Sequence, residues 1–410
     1  MARVLAGKTW ICVWMVATVA CSDTADGDAP GAGTEAGTSV DTSDGMTSSS
    51  TDETGATTAD VDGVAGCGNA ILREVPSNPS ERGPWPVGAR TAVIDGLTVE
   101  AWYPAVPGSE AGVNAKVYDI RDFLPESERD KISDADNPAQ PCDCYADLPV
   151  DDVYGPYPVI VFVHGTAGFR TQSLHHMEHW ASRGFVVLAA DHPGLMLGDL
   201  LGSICGTNAP PQQLTANVRT VLEAASGQAP GLEWLAPHVD ASRIGLAGHS
   251  AGGRTVGMLP DIGHVIVPMA SGGVGTGSAV ESVLVLGGTA DSVVAYDQQI
   301  GGFESSPSPK RLVGLDDAGH LAFSDICSLE NDAGEDLITI AVDNEVCGAQ
   351  FATVLFQCSD TLLPDPDGWA ISRWATSAAF EETLHCRDIG TAFADLSDAL
   401  SGVAEVRESL

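Results

Sequence analysis

From about residue 158 to residue 315, short apolar runs recur at 158–163, 185–190, 243–247, 264–269, 283–286 and 311–315, separated by longer stretches of mixed polarity. Runs of five or six residues rich in Val, Ile and Leu are what strands covered on both faces require. The segments 213–225 and 369–384 carry helical spacing. Strand alternating with helix predicts an α/β fold, a mostly parallel central sheet flanked by helices. Ahead of it, 90–94 and 97–103 read as strands around a turn at Asp95-Gly96, an antiparallel start to the sheet. The stretch 104–157 is rich in Pro and Asp, shows no clear periodicity, and is longer than an ordinary connection, so it reads as an irregular cap or surface loop.

The N-terminus follows a different pattern. Arg3 and Lys8 precede an uncharged, mostly apolar stretch at 9–20, too short to span a bilayer and shaped like a secretory signal. Thr18-Val19-Ala20-Cys21 resembles a bacterial lipobox, with Thr18 where Leu is usual, so the expectation is export with a lipid on Cys21, plain cleavage after Ala20 being the alternative. Residues 22–66 are almost entirely Ser, Thr, Asp, Gly and Ala and cannot bury enough surface to fold. The expected organisation is a leader at 1–21, an acidic disordered linker at 22–66 and a catalytic domain at 67–410. A cell-surface or outer-membrane lipoprotein, otherwise a secreted or periplasmic protein, fits that order.

Charge narrows the partners. The formal net charge is −37, and from Cys67 onward 46 acidic residues stand against 17 basic, a balance of −29. Such a surface repels nucleic acid and anionic lipid headgroups, which leaves a lipid on Cys21 as the expected membrane contact and a monomer as the expected state. Outside the leader and Cys21 there are eight cysteines, an even number that predicts up to four disulfides. Cys142 and Cys144 stand too close to pair without strain, so each is expected to reach a different partner. The rival, a zinc site, lacks any Cys-x-x-Cys.

Candidate chemistry centres on Gly248-His249-Ser250-Ala251-Gly252-Gly253, directly after the strand at 243–247. Strand, Gly-x-Ser-x-Gly, helix is the context of a nucleophile elbow, whose strained turn needs small flanking residues. A serine hydroxyl needs a base, and the base needs an orienting carboxylate. In elbow-bearing sheets these follow in the order acid, then histidine. Asp291 ends the loop after the strand at 283–286, with Asp297 as second choice, and His320 lies on the loop after the strand at 311–315. His385 beside Cys386 reads as a surface or packing residue. Backbone N–H groups of Ala251 and Thr166 are the expected oxyanion donors, with Ala167 as the alternative to Thr166. No cofactor and no metal are expected. His175 and His179, four apart, lack the His-Glu-x-x-His order and read as a solvated or site-facing helix. The acidic run 330–336 lacks the spacing of a calcium loop. Residues 195–201 read equally as an acyl pocket or a packed loop.

His164-Gly165-Thr166-Ala167-Gly168-Phe169-Arg170-Thr171, Ala181-Ser182-Arg183-Gly184-Phe185-Val186-Val187 and Asp191-His192-Pro193-Gly194 resemble the platelet-activating-factor acetylhydrolase branch of the α/β hydrolases. Chlorophyllase, dienelactone hydrolase and cutinase-like polyester hydrolase groups are similar. The resemblance runs from about residue 87 to about 326. It implies the α/β-hydrolase fold and an esterase or lipase with a serine nucleophile and no cofactor. The expected reaction is hydrolysis of a lipid, polyester or small carboxylic ester through an acyl-enzyme. Another acyl transfer or a peptidase reaction on the same triad, or a surface binding protein that kept the fold, are the alternatives.

Overall fold

The computed structural model describes residues 63–410 apart from residue 355. The leader, Cys21 and the linker up to residue 62 lie outside the described residues. Within the last part of the segment expected to be linker, β1 (Val64–Ala65) pairs antiparallel with β2 (Ile71–Leu72).

An eleven-stranded sheet organises the rest. Its strands are β3 (Val87–Ile94), β4 (Leu97–Pro104), β5 (Ala115–Asp119), β6 (Ala139–Ala146), β7 (Tyr157–Val163), β8 (Val186–Ala190), β9 (Val239–His249), β10 (Val265–Met269), β11 (Ser282–Gly288), β12 (Lys310–Leu315) and β13 (Val403–Ser409). The spatial order is β13-β12-β11-β10-β9-β7-β8-β4-β3-β6-β5. The six strands from β8 to β12 run parallel, and β4 and β3 continue the sheet antiparallel beyond β8. After β7 the chain moves outward to β8, then returns to the other side of β7 as β9. The loops leaving β7 and β9 therefore diverge at a topological switch point, where open α/β sheets bind ligands.

The parallel strands form because their residues are apolar on both sides. In β7, Val159, Val161 and Val163 join one buried cluster, with Val218, Val221, Val256 and Phe303. Ile160 and Phe162 join the other, with Met177, Trp180, Phe185 and Phe380. The helices that supply those partners are α2 (Leu174–Ser182), α4 (Leu214–Ala225), α5 (Ala251–Gly257), α6 (Tyr296–Ser305) and α8 (Asp365–Leu384); α1 (Glu126–Arg129), α3 (Leu197–Ile204), α7 (Leu337–Asp343) and α9 (Ala392–Ala399) complete the set among the described residues.

Three expectations are corrected and one unannounced strand is added. The stretch 104–157 is not irregular: β5 and β6 add to the sheet edge and Ile120–Phe123 forms a 3₁₀ turn. Cys142 and Cys144 bond to each other, with Cα atoms 4.9 Å apart. Both lie on the buried side of β6, and the register against β5 shifts between the pairs Ala115–Tyr145 and Val117–Pro141, an irregularity that draws the two Cα atoms closer than the roughly 6.6 Å of an extended i, i+2 pair. Helix α2 is neither solvated nor facing the site; eight of its nine residues are buried. Finally β13, which no apolar run announces, closes the far edge antiparallel to β12. The other disulfides join Cys67 to Cys386, Cys205 to Cys347 and Cys327 to Cys358, which accounts for all eight cysteines.

A third apolar cluster sits apart from the two sheet faces. Phe123 and Leu124 from the 104–157 insertion, Leu197 and Leu201 from α3, and Ile326 and Ile340 pack together with Ala167 and Leu321. Leu195, Leu197 and Leu201 are buried, and Met196, Gly198, Asp199 and Leu200 are partly exposed. Cys205–Cys347 staples this cluster, Lys131 Nζ donates to Glu345 O at 2.7 Å, and Glu128 Oε2 accepts from Cys347 N at 2.7 Å.

Candidate active site

The residue after β9 is Ser250, at φ 55° and ψ −117°. A side chain at positive φ is strained, and strain of this kind persists only where neighbours hold it. Ser250 N donates to Met269 O at 2.8 Å and Ser250 O accepts from Arg254 N at 3.0 Å, pinning the turn to β10 and opening α5. The flanking glycines are required by close approach. A Cβ at Gly248 would stand 2.5 Å from the backbone of Gly252, and one at Gly252 would stand 2.0 Å from Val163 O. Strand, helix and the end of β7 thus meet with no room for a methyl group.

Asp291 sits on the loop beyond β11 and His320 on the loop beyond β12, both buried. His320 Nδ1 lies 2.9 Å from Asp291 Oδ2, and His320 Nε2 lies 3.0 Å from Ser250 Oγ. An ionised carboxylate only accepts, so Nδ1 carries the proton and Nε2 accepts from the serine hydroxyl. Asp291 is held from all sides. Its Oδ1 accepts from Val293 N at 2.8 Å and Val294 N at 2.9 Å, and its Oδ2 also accepts from Gln299 Nε2 at 3.0 Å. Asp297, the second choice, is exposed on α6.

Facing the elbow is the loop after β7. A Cβ at Gly165 would lie 2.7 Å from His249 Nδ1 and 3.3 Å from Ser250 Cβ, so the loop passes directly against the elbow's side chains. Ala167 N already donates to Leu195 O at 2.9 Å and cannot serve an oxyanion. Among the described residues, neither Thr166 N nor Ala251 N has an acceptor. His164, at the start of this loop, is kept neutral by burial; its Nδ1 donates to Gly165 O at 2.8 Å and its Nε2 accepts from His192 N at 3.1 Å.

Sequence reasoning missed Gln357. Its Oε1 accepts from Ser292 N at 3.2 Å and His320 N at 3.4 Å, and its Nε2 donates to Ala290 O at 3.1 Å. One side chain therefore ties the Asp291 loop to the His320 loop, and Cys327–Cys358 anchors the segment that carries it. No local pattern announces such a residue.

The remaining histidines lie elsewhere. His175 Nδ1 pairs with Asp325, and His179 Nε2 meets Pro79 O at 2.9 Å and Ser377 Oγ at 3.0 Å, both rings buried. His385 stacks on Phe185 with ring centroids 4.1 Å apart, a packing role. The run 330–336 folds as a turn in which Asn331 Oδ1 accepts from Ala333 N and Glu335 N, both at 3.0 Å. No group of three or more His, Cys, Asp or Glu able to hold a metal occurs among the described residues. Two open surface cavities, about 460 and 320 Å³, are lined by Glu74, Arg82 and Arg387 and by Asp119, Arg121 and Arg129 respectively. Neither is lined by Ser250, Asp291 or His320.

Comparison with known proteins agrees in part. The Chlorophyllase family model matches residues 126–261, a span that contains Ser250 and the loop after β7 and ends before Asp291 and His320. No curated protein matches the chain. Among solved structures, a ferulic acid esterase from Streptomyces cinnamoneus is 18% identical, covers 75% of this chain and 92% of its own, and superposes with a TM-score of 0.49.

Proposed function

We propose that this chain, an α/β hydrolase by fold, is a serine carboxylic-ester hydrolase that works through an acyl-enzyme. One observation carries the reading: the unbroken hydrogen-bonded chain from Asp291 through His320 to Ser250, with the serine held at positive φ against an open pair of N–H groups. In the forward step Ser250 Oγ attacks the ester carbonyl as its proton passes to His320 Nε2. Asp291 holds the imidazolium that forms. Charge grows on the carbonyl oxygen, and the N–H groups of Thr166 and Ala251 receive it. Collapse of this intermediate expels the alcohol, which takes its proton from His320. Water, deprotonated by His320, then releases the acid and restores the serine.

The match to the Chlorophyllase family supports an ester as substrate. Four disulfides support an oxidising compartment, and the leader and Cys21 extend that to export with a lipid tether. The test compares the protein with Ser250→Ala on p-nitrophenyl esters of graded chain length, on peptide anilides and on a fluorophosphonate probe. Ester turnover and labelling that both vanish in S250A are expected. Peptide cleavage without ester cleavage would move the activity to amide substrates, and unlabelled protein inert toward every ester would end the enzyme reading.

A further inference from the structure

We propose that Gln172 and His249 are positioning residues that brace the oxyanion loop and the backbone of His320 against the nucleophile. The proposal rests on the ester-hydrolase reading above. Neither residue touches the reacting atoms; both set where those atoms stand.

The observation is a continuous run of hydrogen bonds through the interior. Gly165 N donates to Gln172 Oε1 at 3.0 Å, Gln172 Nε2 lies 2.9 Å from His249 Nδ1, and His249 Nε2 lies 2.8 Å from His320 O. Only one assignment of protons satisfies all three. The Gly165 N–H makes Gln172 Oε1 the acceptor, so the amide nitrogen must donate. His249 Nδ1 therefore accepts and carries no proton, and Nε2–H donates to the His320 carbonyl. Gln172, His249 and His320 are 1%, 2% and 4% exposed, so water does not compete for these groups.

The relay requires a neutral His249. Burial pushes its imidazole down to about 3, and His320, whose ring centroid is 4.8 Å away, acts in the same direction. Asp291 and His164 are its other ionisable neighbours; the first favours the charged form and the second disfavours it. A protonated His249 would lose its acceptor and set a positive charge beside the base that must itself become positive.

Geometry gives the brace its consequence. His249 is the residue before Ser250 in the chain, so its bond to His320 O fixes the base to the nucleophile across the ends of β9, β10, β11 and β12. Through Gln172 the same ring fixes Gly165, whose neighbour Thr166 offers an oxyanion N–H. Replacing either side chain by an apolar one leaves the Gly165 N–H or the His320 carbonyl buried without a partner. Sub-ångström drift of the base or the oxyanion donor follows, and such misplacement slows the chemical step without weakening substrate binding.

His249→Asn and His249→Gln separate the two bonds. Asn can still accept from Gln172 but is too short to reach His320 O, whereas the longer Gln can donate to His320 O. On a p-nitrophenyl ester, H249N is expected to lose about 10²-fold in kcat with KM within about twofold, and H249Q to recover about tenfold of that loss. Equal kcat in the two variants, or wild-type kcat in H249N, overturns the proposal. Should neither variant fold, histidine-labelled ¹⁵N NMR of the wild-type protein decides. The expected spectrum has His249 protonated on Nε2 and bare on Nδ1, unchanged from about pH 5 to about pH 8. An Nδ1–H tautomer, or titration with a midpoint near the ordinary value of about 6.5, overturns it. Failure of the ester reading shows differently, as wild-type protein that neither turns over esters nor labels at Ser250.

Discussion

At Asp291 the two carboxylate oxygens receive four donors, three of which fix the side chain and one of which is the His320 Nδ1–H. Asp291→Asn keeps the shape and reverses both partners of Oδ2, His320 Nδ1 and Gln299 Nε2. With its oxygen accepting from Val293 N and Val294 N, the amide nitrogen faces His320 Nδ1, and the imidazole must carry its proton on Nε2, toward Ser250. A base in that tautomer cannot take the serine proton. We expect kcat to fall by roughly 10⁴, since the same reversal at the base costs about that much in a serine protease, and the melting temperature to fall modestly because Gln299 Nε2 loses a buried acceptor. A loss under about tenfold would remove Asp291 from the orienting role. At this scale the convergence of Ser250, Asp291 and His320 was legible in the sequence. The elbow's glycines are demanded by contacts as short as 2.0 Å, and acid and base follow the serine in order on loops beyond strands. The sequence preferred Thr166 to Ala167 without a means of separating them, because the difference is which N–H Leu195 O occupies. His249 and Gln172 were silent for a related reason: their roles exist only once three loops converge.

Among the elements, the parallel strands were readable because burial on both faces makes them continuous apolar runs, as the all-buried β7 and β11 illustrate. The edges were not. In β6 exposed and buried residues alternate through Ala139-Gln140-Pro141-Cys142, and β13 is half-exposed and charged, so both lack the apolar signature. Cys142 and Cys144 misled because spacing along the chain says nothing of the irregularity in β6 that draws their Cα atoms to 4.9 Å. The segment carrying Gln357 was equally unreadable, since Cys327–Cys358 sets its place from 31 residues away. Here the prediction concerns a clamp. Gln357→Ala removes bonds to Ser292 N and Ala290 O and a longer one to His320 N, worth about 1 kcal/mol in net effect on loop position. That converts to about a fivefold fall in kcat. The double variant Cys327→Ser/Cys358→Ser should show a fall of similar size, and combining it with Q357A should add little, because both act through one contact. Full additivity of the two losses, or wild-type kcat in Q357A, would show that the stapled segment does not hold the triad loops.

Over the whole molecule, Cys67–Cys386 ties together points 319 residues apart, near the two ends of the described chain, and the buried pair Arg183–Glu381 joins α2's end to α8. These features make one cooperative body whose stability responds to pH through its interior. Burial holds seven histidines below their ordinary value: His164, His175, His176, His179, His192, His249 and His385. A group depressed in the folded state contributes stability above its unfolded value, about 6.5, and that contribution is lost as the pH falls toward the folded value. Burial acts oppositely on three acids, raising Glu178 and Asp325 to about 7 and Asp365 to about 6. Their contribution is complete below about pH 4 and is lost as the pH rises through those raised values. Between about pH 6.5 and pH 4.5, unfolding therefore exposes seven histidines that bind protons and releases three from the acids. The histidines win, at about 1.4 kcal/mol per net proton per pH unit. Relief of the −37 net charge would work the other way, but exposed carboxylates take up protons near pH 4, below this window. The expected result is a melting temperature several degrees lower at pH 5 than at pH 7.5 at fixed salt, followed by calorimetry at one scan rate. A melting temperature that stayed level or rose on acidification would mean that the buried imidazoles are charged in the native state, and the neutral His249 on which the brace depends would be the first to lose its support.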